Sequence, residues 1–109
     1  MAYDEDLAER IQDVLAGQPG LEAKKMFGGV GYMVQGNMAC GVHKDFLVVR
    51  VGPDAYEASM SLPYTRPFDI TGRAMKGWVM LEPHGFASQK DLGQWVQAGL
   101  DFALSLPPK

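Results

Sequence analysis

The stretch Lys24–Val42, KKMFGGVGYMVQGNMACGV, decides the fold, because it holds five of the chain's 13 glycines and three of its seven methionines. Such a density of glycine is typical of two structures. One is a loop whose backbone amides bind a phosphate, and the other is a β-hairpin whose glycines form turns and close approaches. The choice decides whether a nucleotide-binding enzyme should be sought.

Both known phosphate-binding motifs fail when they are compared with this stretch. The dinucleotide fingerprint G-x-G-x-x-G is matched by Gly29 and Gly31, but Val34 stands at its third glycine position. The P-loop G-x-x-x-x-G-K-[ST] is matched by Gly31 and Gly36, but Asn37 stands where the lysine is needed. The residues that follow alternate as in a strand, so the sequence favours a hairpin.

The hairpin interpretation predicts a register and therefore two faces of a sheet. Gly36-Asn37 separates two alternating runs and is predicted to form a two-residue turn, with a second turn at Lys44-Asp45. One face, predicted to be the core, then carries Met33, Met38, Cys40, Val42, Leu47, Val49 and Val51. The other face is mixed and carries Tyr32, Val34, Ala39, Gly41, His43, Phe46, Val48 and Arg50. On this register Tyr32 covers Gly41, and the glycines at 28, 29 and 31 allow a bulge or a sharp entry into the strand.

The rest of the chain predicts helices at both ends. An amphipathic helix is expected from residue 4 to about 17, a short helix or turn over 52–60, mostly loop over 62–77, and a strand over 78–83. Ser88 and Asp91 resemble a capping box that opens a last helix, in which Gly93 and Gly99 are expected to be compensated by close packing on the sheet. The predicted fold is α+β: a single domain, 1–109, with an antiparallel sheet of about four or five strands and both terminal helices packed on one face.

Composition excludes several classes of protein. The chain of 109 residues has a net charge of −3, which disfavours a dedicated nucleic-acid binder, and no run of apolar residues long enough to cross a membrane or act as a signal peptide. The single cysteine, Cys40, excludes an internal disulfide and fits a reducing compartment. A cytoplasmic location is therefore expected.

No catalytic or metal-binding constellation is visible in the sequence. His43 and His84 are the only histidines, no spacing typical of a zinc site occurs, and no nucleophile elbow is present. Cys40 falls on the predicted core face, where a thiol is usually inert. We therefore expect no cofactor, no metal and no catalytic residues.

The basic residues are the best remaining candidates for binding. Residues 23–80 carry a local charge of +3, and Lys24, Lys25, Arg73 and Lys76 are predicted to contact an anion. Arg50 is predicted to lie beside apolar neighbours on the mixed face. It is expected to be either a snorkelling residue at the edge of the sheet or, with Tyr32 and Phe46, the polar centre of a partner-binding surface.

Four segments together resemble the TfoX N-terminal domain family: residues 24–42, LVVRVGP (47–53), FDITGRAMKGWV (68–79) and LGQWVQAGLDFALSLPPK (92–109). The resemblance runs from about Leu7 to Lys109 and is most specific at Met26-Phe27-Gly28-Gly29 and in the loop from Gly72 to Trp78. It implies a small α+β domain and a role in transcriptional regulation of DNA uptake competence in bacteria. It supplies no catalytic residues. The competence regulators carry a second, helical domain, which would follow Lys109, so a stand-alone copy need not share their role.

Three hypotheses about function follow. The leading one is a cytoplasmic bacterial regulatory module that binds a protein partner or a second copy of itself, without catalysis. The second is direct nucleic-acid contact through the four predicted anion-binding residues, which the acidic net charge makes less favoured. The third is a small-molecule site or unrecognised enzyme near Arg50 and the loop TGRAMKGW (71–78), whose ligand the sequence leaves unknown.

Overall fold

The computed structural model describes residues 3–26, 28–69 and 72–108. The elements within them are α1 (Glu5–Leu15), β1 (Leu21–Met26), β2 (Gly29–Val34), β3 (Asn37–His43), β4 (Phe46–Arg50), α2 (Tyr56–Met60), β5 (Thr65–Pro67), β6 (Trp78–Leu81), a 3-10 helix (Pro83–Phe86) and α3 (Gln89–Ser105). The strands form one antiparallel sheet in the order β1-β2-β3-β4-β6-β5. The predicted α+β fold is confirmed, with six strands instead of four or five.

The two strands that the sequence did not predict are the two edges of the sheet. β1, LEAKKM, has no alternation of apolar and polar residues because both its faces are largely exposed. β5 is only three residues long and ends in Pro67, inside a segment whose prolines and glycines indicate a loop. Edge strands bury little surface, so hydrophobic periodicity gives little sign of them.

The hairpin between β2 and β3 turns one residue earlier than predicted. Gln35 and Gly36, with φ of 53° and 86°, form the turn, and Val34 pairs with Asn37 across it. Two positive φ values in succession are the geometry of a type I′ turn, whose twist matches that of a hairpin. Asn37 is a strand residue instead: its buried side chain donates a hydrogen bond from Nδ2 to the carbonyl of Pro107 at 3.0 Å.

A β-bulge follows this turn and determines which residues face the core. Met33 pairs with Met38, but the next pair is Tyr32 with Cys40, so Ala39 is an extra residue in β3. Moving the turn by one residue changes each cross-strand partner by two positions, which leaves the faces unchanged, whereas the one extra residue at Ala39 reverses them. Cys40 and the residues of β3 after it pair with β4 as predicted and keep their face, so the residues of β2 and Met38 change sides.

Some residues therefore lie on the face of the sheet that was predicted for them, and others lie on the opposite face. Five residues predicted for the core are in it, namely Cys40, Val42, Leu47, Val49 and Val51. The placement of Met33 and Met38 in the core was wrong, since both lie half-buried on the opposite side of the sheet. Tyr32 and Val34, predicted for the mixed face, are in the core, where they are 1% and 0% exposed.

The other local predictions are largely confirmed. The second hairpin turn lies at Lys44-Asp45, where Lys44 has a φ of 56° and the flanking residues His43 and Phe46 pair. α1 begins at its cap, Asp4, whose Oδ1 accepts a hydrogen bond from the Leu7 amide at 3.1 Å.

The predicted Ser88 cap of α3 is also present in the structure, because the Ser88 hydroxyl accepts a hydrogen bond from the Asp91 amide at 3.0 Å. In α3 the prediction of compensating contact holds for Gly99, where a Cβ would lie 2.3 Å from the Ala39 carbonyl oxygen. It was wrong for Gly93, where a Cβ would meet nothing within 4 Å.

We call the side of the sheet that faces α1 and α3 the inner face and the other side the outer face. The inner face forms the main core, in which Tyr32 packs under α1 and its hydroxyl donates to the Ala8 carbonyl at 3.2 Å. In the part of the chain that the structure describes, no helix is long and apolar enough to cross a membrane.

Candidate partner-binding face

The outer face carries a second, smaller hydrophobic cluster. Val48, Phe68 and Met80 are its buried members, and Met38, Phe46 and Trp78 pack against them half-buried. Phe68 comes from the segment after β5 and stacks on Trp78, with ring centroids 5.7 Å apart. Phe68 therefore covers part of the outer face over β4 and β6, and none of the described helices contributes a residue to this outer cluster.

Gly31 and Gly41 leave a strip of the outer face without side chains, and methionine side chains lie on this strip. Gly31 pairs with Gly41 across β2 and β3. A Cβ at Gly31 would lie 3.0 Å from the Met26 sulfur and 3.2 Å from the Met38 methyl carbon. At Gly31 the flexible thioether side chains therefore occupy the space that a side chain would fill. At Gly41 a Cβ would lie 2.5 Å from the Val30 carbonyl oxygen and 2.9 Å from the Met38 methyl carbon. The predicted cover of Gly41 by Tyr32 was wrong, and methionine takes its place.

Gly29 serves a different purpose, which is a close approach of two backbones. A Cβ there would lie 1.8 Å from the carbonyl oxygen of Val42, far inside contact distance. The strands β2 and β3 could not pair as they do with any larger residue at this position. Gly29 is thus explained by the sheet itself, which agrees with the structural interpretation of the glycine stretch.

A shallow depression opens on the outer face beside the methionines. It is lined by Met26, Val30, Met38, Val42, His43, Val48 and Phe68. Its volume is about 10 Å³, which is enough for one water molecule but not for a metabolite. The outer face is therefore shaped for contact with a broad surface more than for enclosing a small ligand.

Arg50 lies half-buried between two aromatic side chains. Its guanidinium carbon is 5.0 Å from the centroid of the Trp78 ring and 5.3 Å from that of Phe102. These cation–π contacts hold the side chain in one place, at a contribution of about 0.5–1 kcal/mol each. Among the described residues no carboxylate forms an ion pair with Arg50. A positioned and unpaired guanidinium is available to a carboxylate on another molecule.

Phe46 also contacts an arginine. The guanidinium carbon of Arg66 lies 5.7 Å from the Phe46 ring centroid, while its Nε donates to Glu82 Oε2 at 2.6 Å. Glu82 Oε1 is 3.9 Å from His84 Nδ1, which completes the pair when His84 is protonated. Arg66 thus has an internal carboxylate partner, in contrast to Arg50.

The three residues predicted to form one partner-binding surface do not lie together. Phe46 is on the outer face, and Arg50 contacts Trp78 of the outer cluster. Tyr32 is buried on the inner face, and this burial raises the pKa of its hydroxyl. The inclusion of Tyr32 was wrong because the bulge at Ala39 pairs Tyr32 with Cys40 and so places it on the inner face. A partner-binding role for Phe46 and Arg50 stays a prediction.

The predicted anion-binding residues are divided between distant parts of the sheet. Lys24 and Lys25 lie in edge strand β1, and Lys24 Nζ is 3.8 Å from Glu22 Oε1. Lys76 is exposed just before β6, from which β1 is separated by three strands, or about 19 Å at the usual strand spacing. Arg73 is exposed in the loop between β5 and β6. Their role in anion binding stays a prediction.

The predicted core position of Cys40 is confirmed. Its side chain is 0% exposed, and desolvation raises the pKa of the thiol to about 12. A thiol with such a pKa carries almost no thiolate at neutral pH and is a poor nucleophile. No cluster of metal-ligating side chains occurs among the residues that the structure describes.

The residues that sequence reasoning missed are Met26, Met33, Met38 and Trp78, which lie on the outer face. Their position depends on a turn at Gln35-Gly36 and on a one-residue bulge. A Gln-Gly turn is less common than the Gly-Asn alternative beside it. The alternation of apolar and polar residues gave no sign of the bulge.

Comparison with known proteins gives one match. The profile of the TfoX N-terminal domain family matches residues 13–103, nearly the whole chain. No curated protein and no solved structure matched.

Proposed function

We propose that this chain, which belongs to the TfoX N-terminal domain family, is a cytoplasmic module that binds a protein partner through its outer face and catalyses no reaction. The observation that supports this most strongly is the composition of that face. Methionine, aromatic and arginine side chains are enriched at protein interfaces, and here they occupy the side of the sheet opposite the helices that the structure describes.

The chemistry of the outer face defines the kind of partner. Met33 and Met38 are half-buried and adaptable, so they can pack against an apolar surface of another protein. Arg50 contacts the rings of Trp78 and Phe102 and has no carboxylate partner among the described residues. The proposed partner therefore presents apolar side chains with a carboxylate at the rim. A pre-positioned arginine loses little conformational entropy when it pairs, which favours such a contact.

The regulatory role of the module is also a proposal. Family membership supports a function in transcriptional regulation, of which DNA uptake competence is the process that gives the family its name. A module without catalysis would act there by binding a regulator or another component of the transcription machinery. Deletion of the gene from its host, followed by measurement of DNA uptake and of competence transcripts, tests this step. Unchanged uptake and transcripts would contradict the competence role and leave the binding proposal to its own test.

The binding proposal is tested by affinity capture with the immobilised chain and matched variants. Met33→Lys places a charge on the outer face, and Gln94→Lys places the same charge on an exposed position of α3 at the other side of the molecule. We expect the wild type and Gln94→Lys to retain the same protein at the same yield, and Met33→Lys to lose it. Equal retention by both variants would contradict the assignment of this face.

The same capture separates the nucleic-acid hypothesis from the protein-binding one. Treatment with nuclease leaves a directly bound protein in place. Material that disappears with nuclease, and whose retention falls steeply with salt, would instead indicate binding of nucleic acid.

A further inference from the structure

The two edges of the sheet differ in how they are protected. β5 has three residues and ends in a proline, which blunts that edge. β1 has six residues without proline, and its four central residues, 22–25, are all exposed. No other strand of the described sheet lies beyond β1. A strand of this length with a free edge is a template for pairing with another chain.

The backbone groups that point outward from β1 follow from its pairing with β2. In an antiparallel ladder the hydrogen-bonded residues alternate along each strand. The Gln35 amide donates to the Gly20 carbonyl at 3.1 Å, just before the first pair of the ladder, Leu21 with Val34. Glu22, Lys24 and Met26 therefore bond to β2. Leu21, Ala23 and Lys25 direct their amides and carbonyls to the free edge.

We propose that two copies of this chain associate through β1, antiparallel, about a two-fold axis at Ala23. In this arrangement Ala23 pairs with Ala23 of the second copy, and Leu21 pairs with Lys25 of the second copy in both directions. All three outward-facing residues of each strand then form hydrogen bonds. The small side chain at the axis allows the two strands to meet without steric conflict.

Charge selects this register over its neighbours. A two-fold axis pairs the residue on the axis with itself, so an axis at Lys24 would oppose two lysines and an axis at Glu22 two carboxylates. An axis at Ala23 places Glu22 opposite Lys24 of the second copy, twice. Both residues lie on the outer face, where their own charged groups are already 3.8 Å apart. Opposite charges directly across a strand pair are favourable, whereas like charges are unfavourable.

This association is independent of the partner binding proposed above. It uses the edge of the sheet and leaves Met33, Met38 and Arg50 free, so either proposal can fail without the other. Its consequence is one continuous sheet from two copies, with both outer faces on the same side.

The test is sedimentation velocity of the full chain over a range of concentrations up to millimolar, at low salt. The monomer has a mass of 11.9 kDa, so a dimer is easily resolved. We expect the wild type to dimerise. Ala23→Pro removes an amide that points away from β2, a placement of proline that edge strands tolerate, and should leave only monomer. Its circular dichroism spectrum and melting curve establish that the variant is folded.

A charge-swap series tests the register and does not depend on the proline variant. Glu22→Lys and Lys24→Glu each replace two attractive pairs by two repulsive ones and should each weaken dimerisation by about tenfold or more. The double variant Glu22→Lys/Lys24→Glu restores opposite charges and should recover dimerisation to near the wild-type value. Both residues are exposed, so the fold of the monomer is unaffected.

Three results would overturn the proposal. A wild type that stays monomeric at millimolar concentration shows that β1 does not self-associate. A dimer that is unchanged in a folded Ala23→Pro variant shows that another surface forms it. Single reversals that weaken the dimer without recovery in the double variant show that the register about Ala23 is wrong.

Discussion

Gly29 and Gly31 lie two residues apart on the same face of β2, and the structure predicts opposite tolerance to alanine at the two positions. At Gly29 the new Cβ would be 1.8 Å from the Val42 carbonyl oxygen and 2.9 Å from its carbon. Both atoms belong to the backbone of the paired strand, so β2 and β3 must separate by more than 1 Å, as contacts below about 3 Å are essentially never tolerated. Inserting one carbon into a well-packed site costs about 1–3 kcal/mol, and a rigid backbone neighbour places Gly29→Ala at the upper end.

At Gly31 the nearest atoms are the flexible ends of two methionines, Met26 Sδ at 3.0 Å and Met38 Cε at 3.2 Å. These thioethers can move by a few tenths of an ångström toward solvent. Alanine also restricts the unfolded chain, which stabilises the fold by about 0.4–1 kcal/mol. Gly31→Ala should therefore change the free energy of unfolding by less than about 1 kcal/mol.

Urea unfolding followed by far-ultraviolet circular dichroism measures both free energies. We expect Gly29→Ala to be less stable than Gly31→Ala by at least about 2 kcal/mol, or about 8 °C in melting temperature. The slope of the free energy with urea should stay constant, since it establishes that the native states are comparable. Equal stability of the two variants, or a larger loss of stability in Gly31→Ala, would refute the reasoning that Gly29 is required by a backbone contact and Gly31 only by movable methionine side chains.

Three further predictions concern stability. In α3, Gly93→Ala should raise the free energy of unfolding by about 0.5–1 kcal/mol because the new Cβ meets open space. Gly99→Ala should lower it by about 1–3 kcal/mol because the new Cβ would meet the Ala39 carbonyl oxygen. Urea titrations of the two variants measure this difference. Burial raises the pKa of Cys40 from 9.0 to about 12, so its contribution to stability is complete below pH 9 and declines as the pH rises toward 12. Cys40→Ala should flatten that decline in unfolding measured against pH, and an unaltered profile would contradict it. Asn37→Ala removes the hydrogen bond to the Pro107 carbonyl and should cost about 1–2 kcal/mol, with faster hydrogen exchange at the end of α3.

The sequence predicted the elements whose signals are local. The first helix begins beside residue 4 as expected, Ser88 caps the last helix, and Lys44-Asp45 forms the turn expected from its neighbours. Cys40 was placed in the core because the strand residues around it alternate. In each case the residues that determine the structure lie within a few positions of one another.

The failures depended on contacts that are distant in sequence. Asn37 was assigned to a turn, the usual place of asparagine beside glycine. In the structure its amide is buried and bonds to Pro107, at the other end of the chain. That contact favours Asn37 as a strand residue and moves the turn to Gln35-Gly36. The bulge at Ala39 that accompanies this turn altered the candidate site, since it places Tyr32 on the inner face and Met33 on the outer face. The partner-binding surface therefore changed from a tyrosine-centred to a methionine-rich one.

The most direct test of the outer face as the binding surface is methyl NMR of the chain labelled at its methionine methyl groups. Met26, Met33 and Met38 report on the outer face, and Met60, which packs against the main core, serves as the control within the same molecule. On addition of the protein retained in the capture experiment, we expect the three outer-face signals to shift or broaden while Met60 stays in place. A change at Met60 with unchanged outer-face methionines would contradict the account.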